Sequence, residues 1–265
     1  MKKTRKELAF LRDLYVAPDW TERFTKIFDE NFKFTDEKNI LYINAGTGDH
    51  AIELNRKLKK NQTLKIFGAD AELNRIAQAK ADIVKAKIDF SDAAPSGEIF
   101  DAVLADASFV KPNDLPVFLK EVIDLSNRQV AFFLPTASSF GDIFSFLWET
   151  LLHLDLLEKS AEVERLITEI PTVSKVEEMA ENLGLTKIEI AKKDEFFDFK
   201  DGAEFVNSPL VTDFLFPAWL DFLTEKEKER VGKRLVQIID AEDGILSFRL
   251  TVKATLFVGE KAENK

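Results

Sequence analysis

An α/β fold, with a mostly parallel sheet covered by helices on both faces, is predicted by three features of the sequence. Short apolar runs end in turn residues, segments of helical spacing lie between them, and the connections are long enough for crossover helices. The chain has 265 residues, 45% of them hydrophobic, so it can bury most of the surface that it exposes when unfolded.

The elements follow in order. The opening MKKTRKELAFLRDLYVAPDW is basic but lacks the uninterrupted apolar stretch of a secretion signal, and reads as an amphipathic helix. Asn39 to Asn44 (NILYIN) is a strand, and His50 to Leu58 follows with Ala51, Leu54 and Leu58 on one helical face. Leu64 to Ala69 (LKIFGA) is a second strand, with a helix from Ala71 to Val84. A brief third run lies at Val84 to Ile88. Phe100 to Ala105 (FDAVLA) is a fourth strand, Pro116 to Leu125 a helix and Gln129 to Leu134 (QVAFFL) a fifth strand. Beyond Pro135 the spacing predicts helices over Ile143–Leu157 and Val173–Leu183 and a strand over Thr186–Ala191. A helical insert over 192–244, rich in Phe and charge, comes next. Ile245 to Val258 alternates as a strand at the sheet edge would. With no repeat and no linker, a single domain over 1–265 with an insert is expected.

Composition narrows the function. A net charge of −10 opposes binding to polyphosphates and anionic lipid surfaces, so nucleic acid is not an expected partner. The absence of cysteine excludes disulfides, thiolate metal sites and a thiol nucleophile. No stretch is long enough to span a bilayer, and a cytoplasmic protein is the expectation. Against 24 Phe there are 2 Tyr, which limits phenolic acid/base chemistry to Tyr15 or Tyr42. His50 and His153 stand far apart, with no metal-ligand spacing around either, so no metal is expected. His50 is either a ligand contact or a plain helix-face residue; His153, between Leu152 and Leu154, reads as a packing residue.

Asn44-Ala45-Gly46-Thr47-Gly48 joins the first strand to its helix. Such a corner lies at the carboxyl edge of the sheet, where open α/β sheets bind ligands, and glycines there let a ligand approach the backbone. The plain alternative is an unliganded tight turn. Asp70, 22 residues beyond Gly48, sits where a carboxylate accepts hydrogen bonds from ribose hydroxyls; alternatively it caps the helix starting at Ala71. Together they point to an adenosine-containing cofactor. The stretch from Gly46 to Ala51 also fits G-x-G-x-x-G/A, so nicotinamide cofactors stay open on motif grounds.

The order of segments resembles the class I S-adenosylmethionine-dependent methyltransferases from Asn39 to Ala191, plus the final strand. NILYINAGTGDHAIEL looks like the family's first motif, around the methionine part of the cofactor. IFGADAELNRIAQAKA looks like the second, and KAKIDFSD like the segment whose acidic residue and neighbour frame the adenine. FDAVLADASFV, LPVFLKEVIDLSNRQVAFFLP and VSKVEEMAENLGLTKIEIAK resemble the fourth, fifth and sixth strands with their helices. The resemblance implies a Rossmann-like, mostly parallel sheet of seven strands with an antiparallel last strand. It further implies S-adenosyl-L-methionine as cofactor, held by Asn44, Ala45, Gly46, Gly48, Asp70, Ala71, Asp89, Phe90 and Asp106. The domain would then divide into an N-terminal helical segment (1–38), a cofactor-binding half (39–135) and a substrate half (136–265).

Two positions depart from the family pattern. The acidic residue that normally ends the first strand and helps hold the cofactor's ammonium group is Tyr42, and the first loop glycine is Asn44, a residue that tolerates positive φ. These departures motivate a second hypothesis, a methyltransferase fold that has lost catalysis and serves as an interaction module; a nicotinamide oxidoreductase is a third. If methyl transfer occurs, Asp106 is the candidate base for a hydroxyl or neutral-nitrogen acceptor, its plain reading being a loop carboxylate facing water or a helix cap. Asp106-Ala107-Ser108-Phe109 lacks the paired prolines of many nucleic-acid amino-methylating relatives. The expected acceptor is small, lipid-like or protein-bound and partly apolar. Aromatic residues of the later half, among them Phe140, Phe144, Trp148 and Trp219, are expected to be mostly core, with some roofing a pocket.

Overall fold

The computed structural model describes residues 3–93, 95, 97–243 and 247–262. The N-terminal segment forms α1 (Arg5–Leu11), a π-helical stretch (Arg12–Thr21) and α2 (Glu22–Asn31). Alternation follows: β1 (Asn39–Ile43), α3 (Asp49–Lys57), β2 (Thr63–Phe67), α4 (Ala71–Ile83), β3 (Ile88–Ser91), β4 (Phe100–Asp106), α5 (Leu115–Asp124) and β5 (Ser126–Pro135). The remainder is α6 (Gly141–His153), α7 (Ser160–Glu169), α8 (Val173–Asn182), β6 (Leu185–Phe199), α9 (Gly202–Asn207), α10 (Phe216–Trp219), α11 (Glu225–Asp243) and β7 (Phe248–Lys261). The strands make one seven-stranded sheet in the order β3-β2-β1-β4-β5-β7-β6. The first five strands pair in parallel, and the last strands are antiparallel.

The described residues within Met1–Leu134, Val173–Lys193 and Ala254–Lys265 make one compact unit, and those within Pro135–Thr172 and Asp194–Lys253 another. In the first unit successive strand residues face opposite ways and so bury against different helices. Leu41, Ile43, Val103, Ala105 and Phe132 join Leu119, Val122 and Ile123 of α5 and Val176 and Ala180 of α8 in one core. Their neighbours Tyr42 and Phe133 turn to the other face; there Phe24 of α2 lies 5.9 Å from Phe133, ring centre to ring centre, and Phe28 packs on His50 at 5.6 Å. This arrangement fixes the β1–α3 corner against the carboxyl ends of β2 and β4.

The second unit is built on aromatic contacts. Trp219 meets Phe140 at 5.0 Å and Phe144 at 5.1 Å, and Phe205 meets Phe248 at 4.7 Å. These side chains are core, whereas Trp148 stays 40% exposed although it continues the same four-residue spacing. The start of α11 is a charged helix face, with Lys228–Glu225 and Lys233–Glu229 pairs along it.

Several expectations shift. The third strand starts at Ile88, not Val84: Val84 caps α4 and is exposed, and Lys85 takes a positive φ of 57° that turns the chain. The sixth strand runs through Phe199 rather than stopping at Ala191, because Glu195 and Phe197 are buried at alternate positions and continue the pleat. Helix therefore begins only at Gly202. The last strand is not at the edge; it lies between β5 and β6, and β6 is the edge strand. Gly244, Ile245 and Leu246, the expected end of the insert and start of the last strand, lie outside the described residues. His153 does not pack: it is exposed, with Nε2 3.3 Å from Glu149 on the same helix.

Candidate functional site

The corner after β1 has the left-handed geometry that its residues permit. Asn44 adopts φ 58°, Gly46 φ 59° and Gly48 φ 86°. Asn44 is tied down on both sides: its amide donates to the Phe67 carbonyl at the end of β2 (2.9 Å), and its Nδ2 donates to the Asp106 carbonyl at the end of β4 (3.3 Å). The Gly48 amide donates to the Ala45 carbonyl (3.1 Å), closing the turn.

A cavity of about 240 Å³ opens beside this corner. Asn44, Ala45 and Gly46 form one wall, Gly68, Ala69 and Asp70 from the end of β2 another. Leu73 and Asn74 of α4, Asp106 at the end of β4, Phe109 and Val110 beyond it, and Arg12 complete it. Five of the sequence-derived site residues thus meet here: Asn44, Ala45, Gly46, Asp70 and Asp106. Four do not line it. Gly48 instead caps α3, and a Cβ there would sit 2.7 Å from the Ala77 Cβ, so its role is the close approach of α3 to α4. Ala71 is the first residue of α4. Asp89 lies within β3, its side chain 72% exposed and 3.9 Å from Lys65, with Phe90 beside it, because β3 begins later than expected and carries both residues away from the strand tip.

Asp70 holds both readings open in one side chain. Its Oδ1 accepts from the Glu72 amide (2.9 Å) and the Leu73 amide (3.3 Å), capping α4. Oδ2 makes no hydrogen bond among the described residues, and the residue lines the cavity. Asn74, which sequence reasoning missed, locks this edge: its Nδ2 donates to the Gly68 carbonyl (2.8 Å) and to Asp92 Oδ1 (2.5 Å).

Asp106 is not a water-facing loop carboxylate; it is 3% exposed. Its Oδ1 accepts from the Ser108 amide (2.8 Å), and Ser108 Oγ in turn accepts from Trp20 Nε1 (3.1 Å). Asp106 Oδ2 is buried with no hydrogen-bond partner among the described residues. Burial pushes the Asp106 carboxyl above its ordinary range, against the opposing pull of the Arg12 charge and the Ser108 hydrogen bonds.

Arg12 carries no sequence signal that places it here. Its guanidinium carbon lies 4.7 Å from the Phe109 ring centre, a stacked cation on an aromatic face. Arg12 Nε is buried and, among the described residues, unpartnered. Desolvation pulls its pKa below the ordinary value, while the charges of Asp106 and Asp70 act the other way.

Tyr42 is fully buried and does not line the cavity. Its hydroxyl lies 3.1 Å from His50 Nδ1, and His50 Nε2 lies 3.5 Å from Asp29 Oδ1. Burial raises the phenol well above its ordinary pKa, so it is a neutral hydrogen-bonding group. His50 is consequently part of a buried polar chain rather than a bare helix-face residue.

No protein-family model matches the sequence, and no curated protein matches it. Solved structures share the fold. YcgJ from Bacillus subtilis superposes with a TM-score of 0.56 at 15% identity, covering 92% of this chain and 100% of that one. A suspected methyltransferase from Bacillus halodurans gives 0.53 at 14% identity, over 90% of this chain and 98% of that one. Phosphoethanolamine N-methyltransferase 2 from Haemonchus contortus, solved with phosphomonomethylethanolamine and S-adenosylhomocysteine, gives 0.51 at 12% identity, over 91% of this chain and 53% of that one. This chain spans about half the length of that enzyme.

Proposed function

Starting from its class I S-adenosylmethionine-dependent methyltransferase fold, we propose that the protein binds S-adenosyl-L-methionine in the cavity at the β1–α3 corner and transfers its methyl group. The observation that carries this reading is the convergence of the left-handed Asn44–Gly46 turn, Asp70 at the end of β2 and Asp106 at the end of β4 on one cavity. The donor set suits the molecule. A backbone turn free of bulky side chains admits a close ligand, and a carboxylate at the β2 tip accepts from paired hydroxyls.

The bound cofactor supplies an activated sulfonium methyl for in-line displacement. The chain's own part is alignment and exclusion of water, effects that together reach many powers of ten in rate. Asp70 would orient the ribose while capping α4, and Asn44 would hold the turn open through its bonds to the β2 and β4 carbonyls. Asp106, buried at the end of β4 with Oδ2 unpartnered among the described residues, would be the group to accept a proton from a hydroxyl or neutral-nitrogen acceptor.

The acceptor we infer is small, lipid-like or protein-bound, with an apolar part. The net charge of −10 disfavours a polyanion, and Trp148 and Phe196 stay 40% and 42% exposed in the second unit. Titration calorimetry of the pure protein with S-adenosylhomocysteine tests the cofactor. Binding at micromolar or tighter affinity is expected, and no heat at millimolar ligand sinks the reading. Transfer of labelled methyl to a component of a cell extract tests the chemistry.

A further inference from the structure

A second hollow, of about 440 Å³, lies between α1 and α4 and is larger than the cavity of about 240 Å³ at the β1–α3 corner. Its size falls within the range of about 300–1,000 Å³ usual for small-molecule sites. Lys6, Ala9 and Phe10 share one face of α1, and Glu72, Arg75, Ile76, Ala79 and Ile83 one face of α4; together these two faces wall a groove. Its floor is apolar and wet. Phe10 is 52% exposed and Ile83 80%, although both stand beside Ile76 and Ala79 in the one groove. Large apolar side chains left in water around a concave surface mark a place for an apolar ligand.

The charges lining the groove decide what head that ligand carries. Lys80 donates to Asp13 and, at 2.7 and 2.8 Å, to both carboxylate oxygens of Asp49, while Arg75 pairs with Glu72 at 2.5 Å. Asp13 and Glu72 are neutralised in the same pairs. Lys6 is the charged residue of this groove that makes no hydrogen bond or ion pair among the described residues. The groove therefore has one unspent charge, and it is positive.

We propose that this groove binds a free single-chain amphipathic anion, an alkyl carboxylate, with its tail along Phe10, Ile76, Ala79 and Ile83 and its head at the Lys6 ammonium. One unspent ammonium balances a singly charged carboxylate and would leave half the charge of a phosphate monoester dianion uncompensated. An anionic membrane is the poorer occupant, since a broad surface meets the chain's net charge of −10, whereas one carboxylate in the groove meets chiefly Lys6. The site is distinct from the proposed cofactor cavity, because no residue lines both.

Titration calorimetry with decanoate, below its micelle concentration, tests the groove on the wild-type chain, on Lys6→Gln and on Ala79→Glu. Both substitutions fall at exposed helical positions, and an unchanged thermal midpoint reports an intact fold. Decanoate should bind the wild-type chain about tenfold or more tightly than hexanoate, because each methylene taken from water adds to affinity. Lys6→Gln should weaken decanoate about fivefold or more and leave decanol unchanged, whereas Ala79→Glu should weaken both. Equal decanoate affinity in the three proteins, or no heat at millimolar decanoate, overturns the proposal. Tighter binding of decyltrimethylammonium than of decanoate does so too. Sedimentation separates the other occupants: binding to phosphatidylglycerol vesicles that Ala79→Glu abolishes gives the groove to a lipid surface, and a dimer that Ala79→Glu dissociates gives it to a second copy, and either result overturns the proposal. S-adenosylhomocysteine affinity should not move in these variants, so failure of this site and failure of the cofactor reading are told apart.

Discussion

Gly48→Ala isolates what the glycine turn contributes to folding from what it contributes to binding. Gly48 is left-handed, at φ 86°, and a Cβ there would meet the Ala77 Cβ at 2.7 Å and its Cα at 2.9 Å. Two costs add. A non-glycine residue in this region costs about 1–2 kcal/mol, and overpacking at a tight contact about 1–3 kcal/mol, so the variant should lose about 2–5 kcal/mol. Gly46→Ala is the matched control. Its φ is also positive, 59°, but the nearest heavy atom to the new Cβ is Arg12 Nε at 4.0 Å, so only the backbone cost of about 1–2 kcal/mol applies. Urea unfolding followed by circular dichroism should show the larger fall in midpoint for Gly48→Ala, with the slope unchanged. Adding Ala77→Gly to Gly48→Ala removes the 2.7 Å contact but not the one to Cα, so the cycle should return a favourable coupling of about 1 kcal/mol or more. If Gly48→Ala costs no more than Gly46→Ala, or the coupling is absent, the α3–α4 approach is not what demands glycine at this position.

Three further outcomes follow from the site. Asp70→Ser retains a capping oxygen for α4 and removes the second carboxylate oxygen; it should hold wild-type stability within a few tenths of a kcal/mol yet bind S-adenosylhomocysteine about tenfold more weakly, whereas Asp70→Ala should also lose about 1 kcal/mol of stability. Equal affinity in Asp70→Ser dismisses the ribose role. Tyr42→Phe strands His50 Nδ1 in a buried position and should cost about 1–3 kcal/mol in thermal or urea unfolding while leaving cofactor affinity within about twofold; a loss of binding without a loss of stability would show that Tyr42 contributes to the site although it does not line the cavity. The Asp106 carboxyl is raised by burial above its ordinary 3.8, so the ligand-free folded chain keeps a proton that the unfolded chain has released, and stability falls as pH rises from 3.8 to the raised folded value. Asp106→Asn should lack that decline, which pH-dependent urea midpoints of the two proteins would reveal; coincident pH profiles would count against a raised carboxyl.

The parts of the fold that were legible in the sequence are those whose physics is local. NILYIN, LKIFGA, FDAVLA and QVAFFL are runs of β-branched and aromatic residues with turn residues at their ends, and β1, β2, β4 and β5 lie there within three residues at every boundary. Asn44 at φ 58° follows from the tolerance of Asn for the left-handed region, and the Asp70 cap from its place before a helical run. What depends on distant partners was not legible. Whether KKDEFFDF continues a strand is decided by what buries Glu195 and Phe197, and the placing of β7 between β5 and β6 is a choice of neighbour that alternation alone does not encode. In IDFSD, spacing favours Asp89, yet it is Asp92 that reaches Asn74 at the cavity edge, because β3 starts at Ile88 and ends at Ser91.

Arg12 and Asp106 show the same limit where it matters for chemistry. An arginine in a basic N-terminal helix reads as a solvated charge, and an aspartate after a strand reads as a loop residue. Each acquires its character only from being dried by the other's surroundings: Phe109 under the guanidinium, Trp20 and Ser108 around the carboxylate. Tyr42 takes its character from its surroundings in the same way. A carboxylate at that position would be buried beside His50, where an unpaired charge is costly, and the phenol is the group that this face of β1 accepts.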